Sequence, residues 1–415
     1  MVTNQAFRKV ARKIWRPLYA TFEKQHTKMR TFQVSIDKLL CGGENGIRSA
    51  KYAELTGDFL RPSQLVFESP HVKLLQEYSQ KGEKIFEKDC FENTDYYKNA
   101  NICIRLTGSY FYDRSADIVN LAKRFVAQHL GKDINLPRLP GQSGDSQPVW
   151  LRAIKDSSYY EIIDGHHRIA RAIMRGESEI DSLVYEKDPV YTPLQQLLLD
   201  CLWINKKKWL YQPVDSPELK ENWKLIRKCD DRLRMMSDFL QSMDFEFSKK
   251  TYLDVGSSYG WFVKKFSEMG FDSKGLERDP FGIDVGLKVY NINPAQIIHA
   301  DIIKGLEELV KQGTTYEVVS CLSVLHHFVL QKNSRSAEDF IKLLDKVSEK
   351  VLFLDTGEEH EAAFEGALSG WNPQFISQWI KKETSFKNVI PLGVDQDCCY
   401  PFQGYYKRTL FACLR

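Results

Sequence analysis

One stretch of the chain, residues 251–277, constrains the fold more than any other. It reads TYLDVGSSYGWFVKKFSEMGFDSKGLE. An apolar run ends at Asp254, a turn with Gly256 and Gly260 follows, and an amphipathic helix leads to a short strand that ends at Glu277. Glycines let a backbone come close to a ligand, and an acidic side chain at the tip of the second strand can accept hydrogen bonds from both ribose hydroxyls. The stretch therefore predicts a βαβ unit that binds a nucleotide-like molecule.

Further strand patterns alternate with helical patterns toward the C-terminus. Ile297, Ile298, His299 and Ala300 lead to Asp301. Residues 316–322 (YEVVSCL) have the pattern of a buried strand, and residues 350–354 (KVLFL) end at Asp355. Strands that alternate with helices in this way indicate a parallel sheet.

The glycine turn has the spacing D-x-G-x-x-x-G. This spacing resembles motif I of class I S-adenosylmethionine (SAM) methyltransferases, and it differs from the G-x-G-x-x-G of dinucleotide-binding proteins. The resemblance covers residues 249–415 and implies a Rossmann-like α/β domain with SAM as its cofactor; another Rossmann-like nucleotide-binding protein is the alternative. The cofactor-binding residues that the resemblance implies are Asp254, Gly256, Ser257, Gly260, Glu277, Asp301 and Leu322.

His326 and His327 follow the fourth strand pattern of this domain, in SVLHHF. Ligands bind outside the carboxyl ends of the strands in such sheets, so either histidine could deprotonate a hydroxyl acceptor. Alternatively, one of them only caps the cofactor pocket or the next helix. Amine-directed DNA methyltransferases carry an Asn/Asp-Pro-Pro-aromatic motif at this place, and the chain has no Pro-Pro dipeptide. DNA methylation is therefore not expected.

The composition excludes several classes of protein. A chain of 415 residues is expected to form about two or three domains. A net charge of +3 argues against a general nucleic-acid binder. The chain contains no run of about 18 uncharged apolar residues, so no membrane-spanning helix is expected. The N-terminus lacks the apolar core of a secretory signal. The nine cysteines include no C-x-x-C, so we expect a reducing cytoplasm and neither a disulfide framework nor a metal site.

The first 30 residues have a basic amphipathic pattern. Apolar side chains recur at helical spacing over residues 5–24, and arginines and lysines occupy the other faces. Such a helix could rest on an anionic membrane surface, at the periphery of the inner membrane. A helix that packs on its own domain, or on a second subunit of a homo-oligomer, is the default explanation of the same pattern.

A second α/β unit is predicted for residues 31–190. Residues 31–40 alternate like a strand, and residues 149–154 and 159–163 read as two strands joined by a turn. The sequence IIDGHHR at residues 162–168 follows, and then a helix that Gly176 ends. This element resembles that of the ParB/sulfiredoxin-like fold, in the version found in its free-serine kinases.

That resemblance implies a nucleotide site with ATP, or another nucleotide, and Mg²⁺. A helix N-terminus attracts anions, and an arginine can hold a phosphate with two hydrogen bonds. Glu68, in VFESPH, is the candidate carboxylate that activates the acceptor hydroxyl. A degenerate domain that only binds a partner is the alternative. The other implied residues are Asp164 for catalysis and Gly165, His166, His167 and Arg168 for the phosphates.

Residues 191–248 read as a helical connector between the two units. Asp215, Ser216 and Pro217 have the pattern of a helix start, and one apolar stripe extends from Leu219 through Trp223 and Ile226 to Leu240.

The whole arrangement resembles bacterial O-antigen chain terminators, which fuse a methyltransferase to a kinase and put a methyl phosphate on the last sugar. It implies a bifunctional enzyme in which residues 31–190 phosphorylate a surface glycan terminus, or another hydroxyl-bearing metabolite, and residues 249–415 then methylate it. One alternative is a methyltransferase whose first half only recruits a substrate or partner. Another is a nucleic-acid-acting fusion, which the near-neutral charge disfavours.

Overall fold

The computed structural model describes the chain in separate stretches and divides it into two units. The first unit contains the described residues up to Gln195 together with Ser216–Glu221, and the second contains Gln196–Asp215 and Asn222–Arg415. The chain therefore enters the second unit twice. The amphipathic pattern of residues 5–24 lies outside the described residues. These are 31–42, 64–107, 110, 117–132, 147–201, 207–330, 335–361, 364 and 366–415.

The first unit is built on a mixed five-stranded sheet with the order β1-β5-β3-β4-β2. β3 and β4 pair antiparallel across a turn, as the sequence predicted. The single strand predicted over residues 31–40 is instead two strands around a 3₁₀ turn at Ile36–Lys38, because β1 pairs with β5 whereas β2 pairs with β4. The strands are β1 (Thr31–Ser35), β2 (Leu39–Leu40), β3 (Val149–Ile154), β4 (Tyr160–Asp164) and β5 (Glu179–Val190).

Helices cover this sheet and form a core of their own. Ser69 caps the first helix by accepting a hydrogen bond from the Val72 N–H, and Pro70 occupies its first turn. Ile169 and Ala172 pack against the sheet. The unit is mixed α/β as expected, and its ParB/sulfiredoxin-like assignment stays a prediction. The helices are α1 (Pro70–Lys81), α2 (Lys88–Glu92), α3 (Asp95–Thr107), α4 (Ile118–His129), α5 (His166–Met174) and α6 (Pro193–Cys201), which runs across the boundary between the units.

The second unit contains two further sheets. Its short strands β6 (Trp209–Leu210) and β7 (Lys224–Leu225) pair in parallel. The large sheet has seven strands in the order β10-β9-β8-β11-β12-β14-β13. Strands β8 to β12 run parallel, and β14 is antiparallel to its neighbours β12 and β13. The strands are β8 (Thr251–Val255), β9 (Asp272–Glu277), β10 (Ile297–His299), β11 (Tyr316–Leu322), β12 (Ser348–Asp355), β13 (Asn388–Val394) and β14 (Thr409–Leu414).

Helices pack on both faces of the large sheet, as its buried apolar strands require. Val318 and Val319 of β11 point to opposite faces and belong to different core clusters. The strand order reverses between β8 and β11, so this junction is the topological switch point at which such sheets bind ligands. The helices are α7 (Asp230–Ser242), α8 (Trp261–Glu268), α9 (Pro280–Val289), α10 (Ile302–Lys311), α11 (His326–Val329), α12 (Ala337–Val347) and α13 (Pro373–Glu383).

The predicted helical connector is only partly helical. The helix expected to begin at Asp215 is a 3₁₀ turn at Pro217–Leu219, and Trp223 and Ile226 lie outside any helix. The prediction was wrong because apolar residues three or four positions apart also fit an irregular segment that packs on a core. No helix in the described part of the chain is both long and apolar enough to cross a bilayer.

Candidate functional site

The loop between β8 and α8 lies at the switch point and has a tight backbone. Gly256, Ser258 and Gly260 have φ angles of 79°, 55° and 80°, in the left-handed region that only glycine adopts freely. A Cβ on Gly256 would lie 2.7 Å from Cγ2 of Val324, and one on Gly260 would lie 2.6 Å from Cδ1 of Ile292. Both glycines predicted from the sequence therefore occupy positions that a larger residue would distort, and their contact with a cofactor stays a prediction.

Glu277 ends β9 beside this loop. Its Oε2 accepts a hydrogen bond from the N–H of Ser258 at 2.7 Å. Its Oε1 accepts from the N–H groups of Arg278 at 2.8 Å and Asp279 at 2.9 Å. Each carboxylate oxygen has two lone pairs, so Oε2 keeps capacity for a ligand hydroxyl. Glu277 thus supports the loop, and the ribose role predicted for it stays a prediction.

Asp254 lies inside the sheet, with an exposed fraction of 2%. The Ser320 hydroxyl donates to its Oδ1 at 2.6 Å, and the same hydroxyl lies 2.6 Å from that of Tyr252. Burial raises the pKa of the Asp254 carboxyl to about 7, although the Ser320 hydrogen bond and Arg232 act in the opposite direction. Asp254 therefore changes charge near neutral pH.

The variant Asp254→Asn is expected to gain stability relative to the wild type as the pH rises from about 4 to about 7. The folded-state pKa of about 7 exceeds the ordinary value of 3.8, so the folded chain binds more protons in that window and loses stability as they leave. The full difference is on the order of 4 kcal/mol. Urea unfolding at pH 4 and pH 8 measures nearly all of it, with the exposed Asp238→Asn as the control; equal pH dependence of wild type and Asp254→Asn would contradict the prediction.

The other predicted cofactor residues lie along the same edge. Asp301 follows β10, is exposed, and caps α10 by accepting from the N–H groups of Ile303 and Lys304. Ser257 is buried in the glycine loop, and Leu322 ends β11. The carboxyl ends of adjacent parallel strands thus bring these positions together, whereas the cofactor contacts themselves stay a prediction.

The two candidate bases differ in accessibility. His326 is buried, with its ring 5.0 Å from that of Phe364 and 4.2 Å from that of His327. His327 is exposed. A base must reach the proton that it removes, so the geometry favours His327 for that role and a packing role for His326.

A buried network of arginines and carboxylates, which the sequence reasoning missed, lies at the carboxyl ends of β11 and β12. Arg232 is 3.1 Å from Oδ2 of Asp397 through Nε and 3.4 Å from Oδ2 of Asp355 through Nη1. Arg227 is 2.7 Å from Oδ2 of Asp395. These partners are 123 to 168 positions apart along the chain, so no local pattern could have found them.

This network fixes the turn that follows β11. Ser323 has a φ of 62°, which is strained for a residue with a Cβ. Its N–H donates to Oδ1 of Asp355 at 2.6 Å, and Arg227 donates to its hydroxyl oxygen at 3.0 Å. Burial alone would raise the pKa of Asp355, but Arg227 and Arg232 outweigh it and the pKa is lowered. Asp355 is therefore a charged anchor for the residue directly after Leu322.

In the first unit, the D-G-H-H-R element lies at the junction of β4 and α5. Gly165 has a φ of 114° and precedes the helix. Arg168 is buried, and its Nη2 is 2.6 Å from Oδ2 of the half-exposed Asp164. Its Nη1 donates to the carbonyl oxygens of Gln147 at 2.6 Å and Pro148 at 2.9 Å. Arg168 thus ties Asp164 to the segment before β3, and a bound phosphate would share it with these partners.

Of the two histidines of the element, His166 is buried and His167 is half-buried. The Gly42 N–H donates to Nε2 of His166 at 3.3 Å, and Nε2 of His167 is 3.0 Å from the hydroxyl of Tyr96. The ring of His71 lies 5.3 Å from that of His166 and 4.5 Å from that of His167. Burial lowers the pKa of all three and holds that of His166 at about 3. They are therefore neutral, and their phosphate role stays a prediction.

Glu68 lies in the same part of the first unit. It is exposed and ends the 3₁₀ turn Val66–Glu68 that precedes α1. Burial, reinforced by the negative charge of Glu68, raises the pKa of the Cys41 thiol to about 12. Cys41 precedes Gly42, which bonds to His166, so Glu68 and the D-G-H-H-R element share one region of this unit.

The sheet order, the glycine loop and the acidic strand ends define the second unit as a Rossmann-like α/β unit with a nucleotide-type cofactor site. Over 96 residues, the chain is 28% identical to the mitochondrial ubiquinone biosynthesis O-methyltransferase of Schizosaccharomyces pombe. The match covers 23% of this chain and 35% of that protein, so the chain spans about a third of its curated relative. No protein-family model matches the chain.

Solved structures with partial similarity include two named methyltransferases. WbdD, a bifunctional kinase-methyltransferase, matches with a TM-score of 0.39 and 18% identity, over 53% of this chain and 46% of WbdD. Magnesium protoporphyrin IX methyltransferase (ChlM) from Synechocystis PCC 6803, with bound SAH, matches with a TM-score of 0.33 and 15% identity, over 44% of this chain and 83% of ChlM. Structural similarities at these TM-scores and identities do not indicate a function. The function proposed below rests on the residues of this chain.

Proposed function

We propose that the chain is a SAM-dependent O-methyltransferase and that the second unit carries this activity. The observation that supports it most directly is the glycine loop, whose left-handed positions adjoin the carboxylate of Glu277 at the switch point. The local similarity to an O-methyltransferase agrees with this. SAM supplies an electrophilic methyl group. The chain contributes the backbone of Gly256 and Gly260 as a close-approach surface and Glu277 as the acceptor for ribose hydroxyls.

Methyl transfer to a hydroxyl releases a proton, and His327 is the proposed acceptor for it because its ring is exposed at the edge of the site. Alignment of the reactants contributes more than the base does in such a reaction. The anchor formed by Asp355 and Ser323 serves this alignment by holding the turn between Leu322 and His326.

The first unit is proposed to be a phosphotransferase that uses ATP, or another nucleotide, with Mg²⁺. Asp164 is half-exposed next to Arg168, and Glu68 is exposed in the same region, as a nucleotide site would require. Phosphorylation of a bacterial surface glycan terminus, or of a related hydroxyl metabolite, would come first and methylation second. Cytoplasmic location, membrane contact through residues 5–24 and a homo-oligomer stay predictions.

A recruiting role for the first unit is the second candidate, and one observation favours it. His166 and His167 are neutral and turned into the core, and Arg168 already has partners on both of its terminal nitrogens. A phosphate site usually offers charged donors directed at solvent. The two candidate roles of the first unit predict different results, because a phosphotransferase turns nucleotide over and a recruiting unit does not.

Asp164→Asn is expected to keep nucleotide binding and to stop turnover, because it removes a charge without changing shape. Arg168→Ala is expected to abolish nucleotide binding and to leave SAM binding intact, and Arg175→Ala, an exposed arginine two turns later, is the control. The measurements are phosphate release and calorimetry with Mg-ATP and other Mg-nucleotides on the full chain. A wild type that neither binds nor hydrolyses any of them would leave the recruiting role as the function.

The order of the two reactions has its own test. Asp164→Asn should also abolish methyl transfer to the unphosphorylated acceptor, and pre-phosphorylated acceptor should restore it. Methylation of the plain acceptor at the wild-type rate by this variant would exclude the serial scheme.

A further inference from the structure

We infer that Gln212 is a positioning residue of the cofactor loop, which extends the proposed SAM site beyond the region of the methyltransferase resemblance. Its Nε2 donates to the carbonyl oxygen of Ser257 at 3.2 Å, and its Oε1 accepts from the N–H of Trp261 at 3.2 Å. The two partners fix the orientation of the amide, because a carbonyl needs a donor and an N–H needs an acceptor. One side chain thus spans the loop from its beginning to the first residue of α8.

The loop between β8 and α8 requires hydrogen-bonded support because its backbone is strained. Ser258 has a φ of 55° between two glycines with similar angles, and a non-glycine residue in that region costs conformational free energy. Glu277 holds the N–H of Ser258 from the side of β9. Gln212 binds the opposite groups, the carbonyl of Ser257 and the N–H of Trp261, so the loop is held from two directions.

The Trp261 N–H belongs to the first turn of α8, where N–H groups have no partner within the helix. Gln212 satisfies this donor and is itself buried, with an exposed fraction of 4%. Its removal would leave the Trp261 N–H to find a new partner, while the Ser257 carbonyl would keep its hydrogen bond from the Gly260 N–H at 2.8 Å. The loop would lose its link to residue 212 and with it its fixed shape.

The backbone on both sides of Gln212 is anchored within the second unit. Before it, β6 pairs with β7, and the ring of Trp209 lies 4.8 Å from that of Phe402. After it, the Tyr290 hydroxyl donates to the carbonyl oxygen of Pro213. A side chain that extends from a fixed backbone is preorganised, as a supporting residue of a binding site must be.

Gln212 lies 45 and 49 positions before its two partners. SAM affinity therefore depends on residues 209–214, which contain no local motif of a cofactor site. Without Gln212, the cofactor would have to order the loop on binding, and part of the binding free energy would be lost.

Gln212→Ala and Gln212→Glu are expected to bind SAM and S-adenosylhomocysteine at least about tenfold more weakly than the wild type, which equals ~1.4 kcal/mol. The Glu variant keeps the acceptor for Trp261 but sets a carboxylate against the Ser257 carbonyl. The matched control is Gln241→Ala, an exposed glutamine on α7. Calorimetry on the full chain gives the affinities, and the melting temperature without ligand separates a loss of fold from a loss of positioning.

Amide hydrogen exchange of the peptide that covers residues 256–261 tests the positioning role directly. Its rate would not change if Gln212 contributed only to the overall stability of the fold. It should be slow in the ligand-free wild type and fast in Gln212→Ala, at an unchanged melting temperature. Wild-type SAM affinity and wild-type exchange in both Gln212 variants would overturn the inference while leaving the proposed function intact. A wild type that does not bind SAM would overturn the proposed function as well.

Discussion

Glu277→Ala is expected to weaken SAM binding by about one to two powers of ten. Oε2 has room to accept one ribose hydroxyl beside the N–H of Ser258, and a hydrogen bond to a charged group contributes about 1.5–3 kcal/mol. The variant also releases the N–H of Ser258, which Oε2 now holds at 2.7 Å. Loop order and ligand contacts are therefore lost together, and calorimetry with SAM measures the sum.

Two variants separate these contributions from a general loss of fold. Glu277→Gln keeps the size of the side chain and one acceptor oxygen, so its loss should be smaller than that of Glu277→Ala. Glu268→Ala, an exposed glutamate on α8, should bind SAM as the wild type does. Unchanged SAM affinity in Glu277→Ala would exclude the assignment of the cofactor site to this edge of the sheet.

Arg232→Ala should destabilise the second unit by about 3–5 kcal/mol, the range for breaking a buried ion pair. The side chain is only 2% exposed and lies between Asp397 and Asp355, so its removal takes the ion-pair partner from buried Asp397 and leaves buried Asp355 with less positive charge beside it.

A matched control lies two positions further along the same helix. Arg234 pairs with Asp231 and Asp238, but its side chain is 63% exposed, and exposed pairs contribute about 0–1 kcal/mol. Arg234→Ala should therefore have little effect in urea unfolding of the full chain. If both variants unfold at the same urea concentration, the buried network does not stabilise the unit as argued.

The framework of the second unit was predictable from the sequence because its signals are local. The apolar runs that end near Asp254 and Asp355 correspond to β8 and β12, and the short strand predicted before Glu277 corresponds to β9. The ends of β8 and β12 are buried on both faces, so their sequences are nearly continuous apolar runs, and the glycines mark a backbone that other residues adopt only with strain.

The supports of the site were not predictable, because they depend on contacts between distant residues. Arg232 meets Asp397 and Gln212 meets Trp261 only after the sheet has formed. Neither residue has a local pattern that distinguishes it from a surface arginine or glutamine. The sequence therefore indicates where a cofactor could bind but not what holds its loop.

The D-G-H-H-R element was likewise only partly predictable from the sequence. Its place between a strand and a helix was predicted correctly, whereas the sequence provided no expectation for the surroundings of its histidines. The rings of His71 and Phe125 lie 4.5 Å and 4.6 Å from that of His167, so aromatic packing from α1 and α4 decides where the histidines point. A seven-residue motif carries no information about such packing.

The alternation of the chain between its two units has a consequence for how this protein could be engineered. Ser216–Glu221 belongs to the first unit, where Glu218 accepts a hydrogen bond from the Thr192 hydroxyl, yet it follows Gln196–Asp215 of the second. A cut after Gln195 would take Ser216–Glu221 from the first unit, and a cut after Glu221 would take Gln212 from the second. A contiguous fragment that contains one unit whole must therefore also carry a piece of the other, so a gene rearrangement that divides the chain once would damage at least one of the units.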